Sequence, residues 1–165
     1  MGFGEANHST QKDHWATPKE FYKMLDNEFS FDLDPCPLKH DITKWNGLEI
    51  EWGSRNFVNP PYSQLEKWLE KGYKESLKGK IVVFLMFSRT DNYHWHKYCM
   101  KAQEIRFIRS RLSFIDGNTG TKMSSSPTPS CLVIFNQSKK DEKVTLGGIG
   151  RYENEPLPRG WKNLD

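Results

Sequence analysis

Cysteine is scarce in this chain: Cys36, Cys99 and Cys131 are three residues in 165. They are odd in number, widely spaced and form no CxxC. That argues against a disulfide framework and against a zinc site, and it fits a reducing cytoplasm. Long apolar runs are also lacking. None approaches the length that a membrane span needs. The first residues, MGFGEANHSTQKDHW, hold no apolar block of the kind a secretory signal requires. Met1-Gly2 does not open a myristoylation motif, because Ala6 stands where Ser or Thr is needed. His94 and His96 are two residues apart, with no cysteine or third histidine beside them. On a helix that spacing separates their faces, so no metal is expected. Net charge is small, at +3, and no internal repeat is present.

The composition that remains is that of one soluble domain. Mean hydropathy is −0.78, yet aromatics make up 13% of the residues and can fill a core. Charge is unevenly spread. Between Lys97 and Lys122 six basic residues face two acidic ones, an excess larger than that of the whole chain. A local basic face suits a phosphate backbone, and a merely solvated face has the same composition.

Residues 1–14 are polar and read as a flexible N-terminus. Thr17-Pro18 reads as a helix start, with Thr17 as N-cap and Pro18 in the first turn. Phe21, Met24, Leu25 and Phe29 follow at helical spacing. Phe31 to Asp34 reads as a short strand stopped by Pro35 and Pro37. Phe57-Val58 is a second strand, and Ser63 to Leu77 an amphipathic helix closed by Gly79. Lys80 to Phe87 reads as a strand, and from Ile81 on it is continuously apolar, as expected of a strand buried on both faces. A helix over 91–101, strands over 104–108 and 112–115, a Gly/Ser/Thr/Pro loop over 116–130 and a buried strand over 131–135 complete the pattern. Gly147-Gly148-Ile149-Gly150 is not placed between a strand and a helix and is not read as a phosphate loop. Strands alternating with helices predict an α/β sheet covered by helices on both faces. Ligands of such sheets sit at the carboxyl ends of the strands. Asp34-Pro35 and Asn59-Pro60-Pro61-Tyr62 both fall there.

The tetrapeptide Asn59-Pro60-Pro61-Tyr62 carries the most chemistry. Two prolines fix φ, remove two N–H donors and leave carbonyls in need of partners. Asn59 adds a side-chain oxygen, and Tyr62 adds a flat ring. Such a turn suits an exocyclic amino group, bonded by the Asn59 oxygen and the Pro60 carbonyl, with its ring stacked on Tyr62. An aryl amine is a poor nucleophile, because its lone pair is delocalised. Two acceptors that draw its hydrogens out of plane free the lone pair and stabilise the positive charge that develops on attack.

Asn-Pro-Pro-Tyr after a strand resembles the catalytic motif of S-adenosylmethionine-dependent amino methyltransferases. The ordered set Trp15-Ala16-Thr17-Pro18, Glu28 to Cys36, Asn46-Gly47-Leu48, Trp52, Phe57 to Tyr62, Ser88 to Asp91, Ile105 to Phe114 and Cys131 to Phe135 is similar to the small phage-type DNA adenine-N6 methyltransferases. The resemblance implies a compact Rossmann-like methyltransferase fold, with a mostly parallel sheet and an antiparallel edge region. It places the domain at 15–136, with a C-terminal extension over 137–165 packed on it. It implies catalysis by Asn59, Pro60, Pro61 and Tyr62, and an S-adenosylmethionine site bordered by Trp15, Thr17, Pro18, Asp34, Pro35, Cys36 and Asn46. The DNA-binding candidates are Arg89, Arg106, Arg109, Arg111, Lys122, Ser124 and Ser125. Arg109 and Arg111 alternate along a predicted strand and so share a face. The substrate would be double-stranded DNA with the adenine flipped out. The protein would work as a monomer in the cytoplasm, that of a bacterial host if phage-encoded.

Two features depart from the family. Asn46 stands where an acidic residue is usual, and the glycine-rich loop of larger methyltransferases is missing. They keep open a non-catalytic DNA-binding or anti-restriction module on the same fold. The turn itself suits other amino acceptors: cytosine N4, RNA adenine or a glutamine amide.

Overall fold

The computed structural model describes residues 15–38, 41, 43–139 and 144–155. The flexible N-terminus read over residues 1–14 lies outside the described residues, as does the tail beyond 155.

Five strands form one sheet in the order β2-β3-β6-β4-β7: β2 is Arg55–Val58, β3 Ile81–Phe87, β4 Glu104–Ile108, β6 Ser130–Asn136 and β7 Thr145–Ile149. β2 runs parallel to β3, and β7 parallel to β4. β6 runs against both of its neighbours, β3 and β4. The sheet is therefore mixed, and its reversal is central. The expected antiparallel edge region is not found: the antiparallel strand, β6, lies inside the sheet, and both edge strands, β2 and β7, run parallel to their neighbours. Uniform apolarity in β6 reports burial on both faces and says nothing of direction. The strand expected over 31–34 contracts to one bridge, Leu33 against Asn56, on the outer side of β2.

Side chains alternate across the sheet. Val83, Leu85 and Phe87 of β3 and Leu132 and Ile134 of β6 face α1 (Lys19–Phe29), which buries Phe21 and Leu25 against them. Val82, Phe84 and Met86 with Cys131, Val133 and Phe135 face α2 (Leu65–Ser76) and α3 (Tyr93–Lys97), through Trp68, Leu69 and Trp95. Helices thus cover both faces. α2 approaches β3 so closely that a Cβ on Gly72 would lie 2.4 Å from the Phe84 ring. The helix expected over 91–101 ends at Lys97. Tyr98 leaves helical geometry at φ −121°, and a single 3-10 turn, Cys99–Lys101, follows.

Two local expectations change. α1 begins at Lys19 with Pro18 as its N-cap, and no side chain caps it. Thr17 is thus one residue outside the helix. The strand expected over 112–115 survives as β5, Ile115–Asp116, which pairs antiparallel with β1, Trp15–Ala16. This small ribbon stands at the carboxyl edge of the main sheet, beside the turn that follows β2.

Candidate active site

The parallel pairing of Leu33, β2 and β3 puts three chain exits at one edge: Asp34 after Leu33, Asn59 after Val58, and Ser88 after Phe87. β4 delivers Arg109 to the same edge. β6 starts there, so the segment entering it at Ser130 lies there too.

Asn59 is partly buried. Its Nδ2 donates to the Trp15 carbonyl at 2.8 Å and to Thr17 Oγ1 at 3.2 Å. A carbonyl only accepts, so the amide nitrogen must face Trp15 and the orientation of the amide is fixed by chemistry. Oδ1 then points away, and no described residue donates to it. The two prolines offer no N–H. The Pro61 carbonyl is committed to the Gln64 N–H at 3.2 Å. Tyr62 opens a 3-10 turn, Tyr62–Gln64, that leads into α2. Its Oη accepts the Phe87 N–H at 2.9 Å. Its ring stacks on Phe87, with centroids 4.4 Å apart and planes at 16°. One face of Tyr62 is therefore covered, and a further ring must use the other. Burial pushes the Tyr62 phenol well up, offset only in part by the Phe87 N–H. Tyr62 stays neutral and is no general base.

Phe87 and Phe114 complete the surroundings, and sequence reasoning missed both. The Trp15 ring lies 5.6 Å from Phe87 and 5.3 Å from Phe114. No local signal announces these contacts, because they join segments far apart in the chain. Trp15 Nε1 is buried without a hydrogen-bond partner among the described residues.

The other strand end is built by close packing. Asp34 Oδ1 accepts the Cys36 N–H at 2.9 Å, a local turn bond. The Pro35 carbonyl accepts from Trp45 Nε1 at 3.2 Å. Gly47 lies directly on it: a Cβ there would be 1.8 Å from that oxygen. Asn46 is brought beside Pro35 in this way, with its own Oδ1 turned to the Leu48 N–H at 3.1 Å. Asp34, Pro35, Cys36 and Asn46 therefore come together. Trp15 and Thr17 group with Asn59 instead, and Pro18 follows them as the N-cap of α1.

The basic residues disperse. Arg106 is held on both edges of its guanidinium, by Glu28 of α1 at 2.6 and 2.7 Å and by Glu104 at 2.6 Å. These bonds raise its pKa and hold its charge in place. Arg109 and Arg111 do not share a strand face, because β4 ends at Ile108 and Ser110 takes φ 66°. Arg109 Nη2 donates to the Glu155 carbonyl at 2.6 Å and Arg111 Nη1 to the Pro127 carbonyl at 2.7 Å. Arg89, Arg111, Lys122, Ser124 and Ser125 are exposed.

Among the described residues no group of three metal-ligating side chains is found, and no helix is long and apolar enough to cross a membrane. His94 Nδ1 lies 3.8 Å from Glu66, while His96 Nε2 lies 2.8 Å from the Thr90 carbonyl, so the two diverge. All three cysteines are free thiols, and burial pushes Cys99 up to about 12.

The family model for DNA N-6-adenine-methyltransferase (Dam) matches residues 5–155. The chain belongs to this family. The Dam match spans every described strand and both strand-end turns. It continues past 136 to take in β7, the fifth strand of the sheet. A DNA N-6-adenine-methyltransferase of Haemophilus phage HP1 is 30% identical over 138 residues, 76% of this chain and 80% of that relative. One of Escherichia phage T1 is 23% identical over 156 residues, 79% of this chain and 66% of that relative.

Proposed function

We propose that this chain is a DNA adenine-N6 methyltransferase that moves the methyl group of S-adenosylmethionine to an adenine flipped out of duplex DNA. The observation that carries the reading is the Asn59 amide, whose nitrogen is spent on Trp15 and Thr17 and whose oxygen is thereby presented at the carboxyl edge of the sheet. Membership of the Dam family and the names of both phage relatives support adenine as acceptor and DNA as substrate.

The residues fit such a donor. α1 has no side-chain cap, so its first N–H groups and its positive dipole end suit a carboxylate. Trp15, Thr17 and Pro18 would border that end of the donor, and Asp34, Pro35, Cys36 and Asn46 the nucleoside end. The bound donor supplies an electrophilic methyl on a sulfonium sulfur. Asn59 Oδ1 accepts one N6 hydrogen, and the Pro60 carbonyl accepts the other. Together they turn the adenine nitrogen toward tetrahedral geometry and aim its lone pair. They also stabilise the positive charge that grows there, and the spare proton then leaves to water. Tyr62 would offer its other ring face to the flipped base. No strong base is needed, consistent with a turn made of an amide, two prolines and a neutral phenol. Much of the rate comes from holding the amine and the methyl in line.

Arg89, Arg109, Arg111, Lys122, Ser124 and Ser125 are proposed to carry the DNA face. Arg106 is left to the fold, since two carboxylates already hold it. The chain is proposed to work as a monomer in the host cytoplasm and to read a short site or to have weak specificity. Labelled donor offered separately to DNA, RNA and protein tests the reading. Label in DNA is expected. Label only in RNA or protein, or no heat of donor binding by calorimetry, would overturn it.

A further inference from the structure

The Asn59 amide is not held by its own turn. Both of its partners lie more than forty residues earlier, across sequence separations of 44 and 42. The Trp15 carbonyl is fixed by the pairing of β1 with β5 and by the packing of its ring against Phe87 and Phe114. Thr17 is fixed just after it. Its hydroxyl has no duty at the helix, because Pro18 is the N-cap of α1 and no side chain caps the first turn.

An amide nitrogen carries two hydrogens, and here two oxygens receive them. A half-turn of the amide would set Oδ1 against the Trp15 carbonyl, acceptor against acceptor. The orientation is thus locked by the pair, and the Thr17 oxygen is the half of the lock that belongs to a side chain. Without it one hydrogen is unpaired and the amide can tilt about the remaining bond. A tilt moves Oδ1, the atom that must meet the substrate amine.

We infer that Thr17 is a positioning residue, whose hydroxyl orients the Asn59 amide toward the acceptor amine. This rests on the reading of Asn59 given above and goes further. The side chain of Thr17 acts on the acceptor through Asn59, and only the backbone of the 17–18 corner borders the donor. A donor contact would register in the KM for the donor. A positioning role registers in kcat.

The decisive variant is Thr17→Val, which keeps the shape and removes the oxygen. It lowers kcat about five- to tenfold, the worth of one neutral hydrogen bond. KM for the donor stays within about twofold, as expected when an interaction of the transition state alone is lost. Thr17→Ser recovers most of kcat. In an Asn59→Ala background Thr17→Val has no further effect, because the two act as one unit. A readout free of turnover is the side-chain amide signal of Asn59 in the ¹⁵N spectrum of the full chain, which shifts in Thr17→Val. If Val leaves both kcat and that signal unchanged, or raises donor KM while kcat holds, the positioning role is wrong. If the wild-type chain methylates nothing while the Asn59 signal still responds to Thr17→Val, the lock stands and the methyltransferase reading falls.

Discussion

At the scale of single residues, the proposed function divides the work between Asn59 and Tyr62. Asn59 supplies a fixed dipole and Tyr62 a fixed plane. Replacing Asn59 by Ala removes a preorganised acceptor and should lower turnover by about 10²–10³. Steady-state assays on saturating DNA would register it. Tyr62→Ala removes the stacking plane and should weaken binding of single-stranded DNA carrying the target base by about 1–3 kcal/mol. A fluorescence titration against a strand without adenine isolates that term. The tetrapeptide was legible in the sequence because its chemistry is local. Its partners were not. The bonds from Asn59 to Trp15 and Thr17, and the stacking of Tyr62 on Phe87, join separate segments. Thr17 illustrates the limit: as a Thr-Pro pair it reads as a helix cap, and only the tertiary structure reveals that its oxygen is used elsewhere.

Among the elements, the strand ends bring the site together through packing that tolerates little change. Gly47 sits on the Pro35 carbonyl with no room for a Cβ. Gly47→Ala should therefore destabilise the protein by roughly 3 kcal/mol, at the upper end of overpacking costs, and thermal unfolding would report it. The sequence reads Asn46-Gly47 only as a turn, because the need for glycine comes from Pro35, twelve positions earlier. The basic stretch separates in a similar way. Arg106 and Arg111 look alike in sequence, yet one is clamped by Glu28 and Glu104 and the other is exposed. Arg111→Ala should reduce the salt slope of DNA binding by about one, while Arg106→Ala should leave that slope unchanged. Measuring affinity across salt concentrations separates them. The expected alternation of Arg109 and Arg111 along a strand misled on this point. Ser110 at φ 66° breaks that alternation and sends the two neighbouring arginines different ways.

For the molecule as a whole, the sheet is anchored at the edge opposite the site by one buried acid. Glu75 accepts bonds from Lys78 at 2.9 Å and Lys80 at 2.7 Å and pairs with Lys71 at 3.0 Å. Burial would raise its pKa from 4.5, but these lysines outweigh burial and hold it at about 2. Its contribution to stability is therefore present in full above pH 4.5 and is lost as pH falls through about 2. Glu75→Gln should destabilise the protein by roughly 3–5 kcal/mol at neutral pH, with a gap from wild type that narrows toward pH 2. Melting curves over that range check it. Helices on both faces, and the family, were legible from alternation and motif order. The direction of β6 and the membership of β7 were not, since an apolar run carries no arrow and Thr145-Leu146-Gly147-Gly148-Ile149 carries little strand signal. The central claim is that the Asn59 oxygen drives methyl transfer to an adenine amine. Digestion of treated duplex DNA to nucleosides tests it most directly. N6-methyladenine is the expected product of the wild-type chain, with a rate that falls by about 10²–10³ in Asn59→Ala. Methyl groups on cytosine instead, or an undiminished rate in that variant, would contradict it.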